Sequence, residues 1–177
     1  MNLQDNDFKL LGLAPRFAQD RAEIDARWKD MQKQAHPDKF SAHDAAAQRR
    51  AMQWSVRINE AYQRLKDPLK RAAYLCELHG SQVNAENNTA MPGEFLMQQM
   101  EWREALDEAR SGAELEVIEA QVKSARLKAL QKCEQLLDIE KNYAQATQQV
   151  RALMFIERFV QDVETRLDQM DSVDKRQ

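Results

Sequence analysis

The chain has 177 residues, 43% of them hydrophobic, only four Gly and four Pro, and a formal charge of -3. So little Gly and Pro against abundant Ala, Leu, Gln, Glu, Lys and Arg favours helices joined by short turns, and the slight acidity excludes a general nucleic-acid binder, which needs a basic surface to neutralise phosphates. The charge is unevenly spread: residues 1–80 carry 14 Lys or Arg against 11 Asp or Glu and the remainder 12 against 18, which suggests two surfaces with different partners.

Residues 7–13 read as a short apolar helix closed at Gly12, with Pro15 preventing its extension. Asp20 opens a second helix, with Glu23 three residues on as in a capping box, and Ile24, Trp28, Met31 and Ala35 form its buried stripe. His36-Pro37 ends it, because the residue before a proline is driven out of the α region. A polar loop from His36 to Ser41 follows, and a third helix begins near Ala42 to Asp44, striped by Ala47, Ala51, Trp54, Ile58, Ala61, Tyr62 and Leu65. These two helices should pack as an antiparallel hairpin with the loop at its tip. Asp67-Pro68 supplies an N-cap and a first-position proline to a fourth helix that runs to Gly80.

Residues 80–93 concentrate Asn, Gly and Pro without periodicity, and they are taken as the linker between two domains, 1–79 and 94–177. Three helices are expected beyond it, roughly 94–110, 113–138 and 142–171, forming an antiparallel bundle around Leu115, Ile118, Val122, Leu130, Cys133 and Leu137 and around Val150, Leu153, Val160, Val163 and Leu167. The predicted fold class is therefore all-α. Cys76 and Cys133 are too few and too far apart for a zinc site or a CxxC pair, and read as buried structural thiols in a reducing compartment. No metal site or cofactor is expected. With no secretory or transit signal and no apolar run near 18 residues, the expectation is a soluble cytoplasmic protein that does not engage a membrane.

Two constellations stand out. His36-Pro37-Asp38, followed by Lys39-Phe40, is a weak signal alone, since a helix-ending His, a proline breaker and an Asp turn residue account for it. The second is on the helix 94–110. Phe95, Trp102, Leu106 and Ala109 share the core side, whereas Leu96, Met97 and Met100 face nearly opposite and are joined there by Glu101, Glu104 and Glu108. An apolar patch with an acidic border suits protein binding, flexible methionines fitting the partner. Phe155 sits off the stripe of the last helix and is placed with the same patch.

With Phe8, Leu11-Gly12-Leu13, the tripeptide at the hairpin tip, Ile58-Asn59-Glu60-Ala61-Tyr62 and Leu65-Lys66-Asp67-Pro68 taken together, residues 5–78 resemble the J-domain. The resemblance implies that His36, Pro37 and Asp38 contact a DnaK-type chaperone and stimulate its ATP hydrolysis. Proline fixes the loop, Asp38 offers an acceptor suited to an arginine, and His36 can donate or accept. Lys39, with Arg27, Lys29 and Lys33 on the second helix, extends this chaperone-facing set electrostatically, although Asp25 and Asp30 dilute it. Ala35 stands where the family usually carries an aromatic residue.

Joined to the helix bearing Phe95-Leu96-Met97, Glu101, Arg103-Glu104 and Leu106-Asp107-Glu108, the whole chain resembles the HscB family of J-type co-chaperones of iron-sulfur cluster assembly. That resemblance implies an IscU-type scaffold protein held by Leu96, Met97, Met100, Glu101, Glu104, Glu108 and Phe155 and presented to an HscA-like chaperone. Met100 replaces a leucine common in the family. The CxxC zinc module of some eukaryotic relatives is absent, as in a bacterial-type member. A general J-type co-chaperone for unfolded clients is the nearest alternative. A small enzyme built on His36 and Asp38 is poorer, for no cofactor motif or nucleophile pair accompanies them.

Overall fold

The computed structural model describes residues 2–36, 45–84 and 90–174, with the side chains of 171, 173 and 174 left aside. Its described elements are helices: α1 (Asp7–Leu11), α2 (Arg21–Ala35), α3 (Ala45–Leu65), α4 (Pro68–Leu78), α5 (Gly93–Glu108), α6 (Gly112–Glu134) with a π-helical turn at Gln135–Ile139, and α7 (Tyr143–Asp174). The chain divides into two compact units, Met1–Leu75 and Cys76–Gln177.

In the first unit α1 is capped at both ends. Asn6 accepts from the Lys9 amide, and Gly12 takes a left-handed φ of 67°, which a residue without Cβ adopts at no steric cost. Phe8, Leu10 and Leu11 are buried beneath it. Asp20 caps α2 through the Ala22 amide at 2.9 Å, while Glu23 turns to Arg27, 3.5 Å away. The helix buries Ile24 and Met31 and half-buries Trp28 and Ala35. Successive ties of Arg21 to the Lys66 carbonyl, Trp28 to the Tyr62 ring and Gln32 to Ser55 climb α2 while descending α3, so the pair is antiparallel. The start expected for α3 near Ala42 to Asp44 lies outside the described residues.

Asp67 caps α4 by accepting from the Leu69 amide at 2.9 Å, with Pro68 at the first helical position, where its missing N–H costs nothing. Arg71 is buried, yet its guanidinium donates to the carbonyls of Phe17 at 2.8 Å and Leu65 at 2.5 Å, and it lies over the Phe17 ring. Those bonds offset the desolvation of the charge.

The second unit has its core between α6 and α7, where Leu115, Ile118, Val122 and Cys133 meet Val150, Leu153, Ile156 and Val163, all at most 5% exposed. Ser111 starts α6 with a reciprocal capping box: its hydroxyl accepts from the Glu114 amide at 3.3 Å and the Glu114 carboxylate accepts from the Ser111 amide at 3.2 Å. The helix expected as far as 138 instead widens into the π-helical turn, which turns both Leu136 and Leu137 inward before Lys141 takes a φ of 54°. Much of the stretch 80–93 is held against α7. The Ser81 and Thr147 hydroxyls are 2.6 Å apart, Val83 is buried, and Arg151 donates to the carbonyls of Val83 at 2.8 Å and Ala90 at 3.0 Å. Gly80, at φ 78°, turns the chain out of α4 to begin this stretch.

Candidate functional site: a helix end and an exposed apolar face

The first candidate site is the C-terminal end of α2. His36 terminates the helix with φ -66° and ψ 126°, the extended backbone that a following proline requires, and its side chain is exposed. Pro37, Asp38 and Lys39 lie outside the described residues. On the exposed surface of α2, Arg27, Lys29 and Lys33 all reach solvent; Arg27 pairs with Glu23, and Lys33 stands 4.0 Å from Asp30. Such exposed pairs are worth well under about 1 kcal/mol and yield readily to a stronger anionic partner.

Trp28 belongs beside them. The sequence places it on the core stripe, but it is only half-buried, stacked on Tyr62 with 4.4 Å between ring centroids, and it lines an apolar depression with Lys29, Gln32, Lys33 and His36. Tyr62 is gripped on its other contacts by Lys66, 4.8 Å from the ring centroid. The signal that was available was Trp28's place between Ile24 and Lys29 at the edge of the stripe, where an indole can serve both core and surface.

The second candidate site is on α5. Leu96, Met97 and Met100 are 46%, 70% and 72% exposed, and Glu101, Glu104 and Glu108 are exposed with them. Leu96, Met100, Glu104 and Glu108 form one row at successive i+4 spacing, and Met97 and Glu101 form the next. The opposite face is anchored by Trp102, 3% exposed. Phe155 differs from the other six residues. It is half-buried, edge-on to Phe95 at 5.7 Å and stacked with Phe159 at 5.8 Å, so it underpins the α5 face and is only partly available to a partner. Arg103, which sequence reasoning left without a role, lies over the Phe155 ring at 5.2 Å, a cation–π contact that periodicity does not encode. Met154, 39% exposed and adjacent to Phe155, adds apolar surface on α7.

Among the described residues no His, Cys, Asp and Glu group is arranged to hold a metal ion, and no helix is long and apolar enough to cross a membrane. Both cysteines are buried. Burial pushes the Cys133 thiol up to about 12 and raises that of Cys76 as well, so neither is an activated nucleophile.

Comparison with known proteins gives a match to each half of the chain. The DnaJ domain family matches residues 6–74, and the family described as the HSCB C-terminal oligomerisation domain matches residues 91–164. The co-chaperone protein HscB homolog of Bordetella pertussis is 44% identical over 160 residues, covering 90% of this chain and 94% of that one. Among solved structures, the chaperone HscB from Vibrio cholerae is 34% identical with a TM-score of 0.80, covering 94% of this chain and 99% of its own. The human co-chaperone HscB superposes with a TM-score of 0.86 at 25% identity, over 94% of this chain and 84% of that one. A DnaJ domain followed by an HscB C-terminal domain, in a relative of this similarity and coverage, places the chain in the HscB family of J-domain co-chaperones.

Proposed function

We propose that this co-chaperone delivers an IscU-type iron-sulfur scaffold protein to an HscA-like, DnaK-type chaperone in the cytoplasm and triggers ATP hydrolysis there. It performs no bond chemistry of its own. Residues 1–79 act on the chaperone through His36, Pro37, Asp38 and Lys39, with Arg27, Lys29 and Lys33 adding attraction to an acidic chaperone surface. Residues 94–177 hold the scaffold through Leu96, Met97, Met100 and Phe155, with Glu101, Glu104 and Glu108 selecting a partner whose rim is basic. Residues 80–93 join the two.

The observation that carries this reading is the α5 face: three large apolar side chains, each at least 46% exposed, stand together beside three glutamates. Such a face costs solubility unless a partner covers it. Carrying the client on the same chain as the ATPase trigger raises the effective concentration of each for the other.

Steady-state ATP hydrolysis by the chaperone, with this protein present and the scaffold added or omitted, tests the reading. Synergy between protein and scaffold is expected. Stimulation indifferent to the scaffold, and competed by a denatured protein, would instead identify a general J-type co-chaperone. No stimulation under either condition overturns the assignment.

A further inference from the structure

We infer that Met97 and Met100 form a reversible oxidation switch on the client-docking face, their conversion to sulfoxides by a peroxide releasing the scaffold. This rests on the scaffold-binding reading and adds regulation to the same face.

Exposure sets which methionines an oxidant reaches first. Among the described methionines, Met100 at 72% and Met97 at 70% are the most exposed, ahead of Met52 at 61%, Met154 at 39% and Met31 at 9%. The two stand three residues apart on α5, so their thioethers occupy neighbouring rows of one helix surface. They are also the flexible centre of the proposed interface, where loss of apolar character costs most. The cysteines do not compete for oxidant, since Cys76 and Cys133 are each 0% exposed.

The chemistry is an oxygen-atom transfer. A sulfur lone pair attacks one peroxide oxygen, the S–O bond forms as the O–O bond breaks, and after proton transfer the second oxygen leaves as water. Sulfur is oxidised and peroxide reduced. The new sulfoxide oxygen is a hydrogen-bond acceptor on a surface whose border, Glu101, Glu104 and Glu108, consists of acceptors too. Docking would then strip water from a polar sulfoxide where the reduced thioether is apolar and flexible, and each such group lowers affinity about tenfold or more. Because docking covers both thioethers, the scaffold-bound protein is oxidised more slowly at these two residues than the free protein.

The test treats the full-length protein with hydrogen peroxide, removes the excess with catalase, maps the sulfoxides by peptide mass spectrometry and then measures scaffold affinity. Met97 and Met100 should oxidise first, affinity should fall about tenfold or more, and methionine sulfoxide reductase should restore it. Met52→Leu should remain as sensitive as the wild type. Met97→Leu with Met100→Leu, whatever its starting affinity, should show the same affinity before and after peroxide. Complete oxidation at both positions without loss of affinity overturns the switch, as does equal loss in the double-leucine variant. If the untreated protein does not bind the scaffold at all, the scaffold reading itself falls, and the switch with it.

Discussion

Arg57 reaches fifty residues back along the chain to donate to the wholly buried carboxylate of Asp7, Nη2 to Oδ1 at 2.6 Å. Arg64 takes the other carboxylate oxygen at 2.8 Å, and the Asp7 amide donates to the Tyr74 hydroxyl at 3.0 Å. One side chain thus ties α1 to α3 and its backbone ties α1 to α4, fixing the frame from which α2 projects His36. Arg57 further donates to the Leu3 and Asp5 carbonyls. Arg57→Ala should therefore destabilise the first unit more than Arg64→Ala, whose guanidinium side chain is 44% exposed against 21%. Removing Arg57 leaves a buried carboxylate with a single, exposed partner and should cost about 2 kcal/mol, discounted from a fully buried pair for the access of water. Urea melts of the two variants, compared with Asp7→Asn, measure the ranking.

The two candidate sites lie on different units, and their mutational effects should separate. His36→Gln is expected to abolish stimulation of the chaperone and leave scaffold binding intact, while Leu96→Ala with Met97→Ala should weaken scaffold binding and spare stimulation measured without scaffold. Lys29→Ala with Lys33→Ala should lower the apparent chaperone affinity at low salt and lose most of that effect at high salt, because the attraction is between exposed charges. ATPase titrations at two ionic strengths and scaffold titrations by calorimetry read these outcomes. One substitution that abolished both activities in a folded protein would defeat the proposed division of labour.

Much of this architecture was legible because its signals are local. Asp67-Pro68 marks a helix start by chemistry confined to two residues, and the outward set Leu96, Met97 and Met100 follows from helical periodicity alone. What escaped depends on tertiary partners. Phe155 looks displaced from its stripe because a helical wheel assumes one interior, whereas Phe155 meets Phe95 on another helix and carries Arg103 above it. The π-helical turn after Glu134 is invisible in a stripe that continues through Cys133 and Leu137, since its widening depends on what Leu136 and Leu137 pack against. Trp28 read as core because periodicity gives direction and not depth. The tripeptide His36-Pro37-Asp38 is a different case: weak alone, it takes its expected role from the motifs around it, and only His36 belongs to the described residues.

The buried thiols give a pH dependence. Burial raises the Cys133 pKa to about 12, above the value of a thiol in the unfolded chain, and Cys76 shifts in the same direction. Above about pH 9 the unfolded chain releases these protons while the folded chain retains them, so the folded state binds more protons and its stability falls as pH rises. The contribution is complete below the unfolded thiol pKa and is lost as pH climbs toward 12. Urea melts from pH 7 to about 10.5 should show this decline. Cys76→Ala with Cys133→Ala, although less stable at neutral pH from lost packing, should show a shallower slope. An unchanged slope would mean that other groups carry the alkaline loss.

Phe155 should separate support of the docking face from contact with the partner. Its ring is held between Phe95, Phe159 and Arg103, so Phe155→Ala opens a gap beneath α5 and should cost about 2 kcal/mol, less than a fully buried aromatic because the ring is only half-covered. Met97→Ala and Met100→Ala remove side chains at least 70% exposed and should each change stability by less than about 0.5 kcal/mol. All three should weaken scaffold binding, but through different routes. Loss at Phe155 comes largely from a displaced α5, so Phe155→Leu, which refills most of the gap, should recover stability and affinity together; loss at the methionines is direct contact. Thermal melts paired with scaffold titrations distinguish the two, and a Phe155→Ala protein with unchanged melting and weakened binding would make Phe155 a contact residue outright.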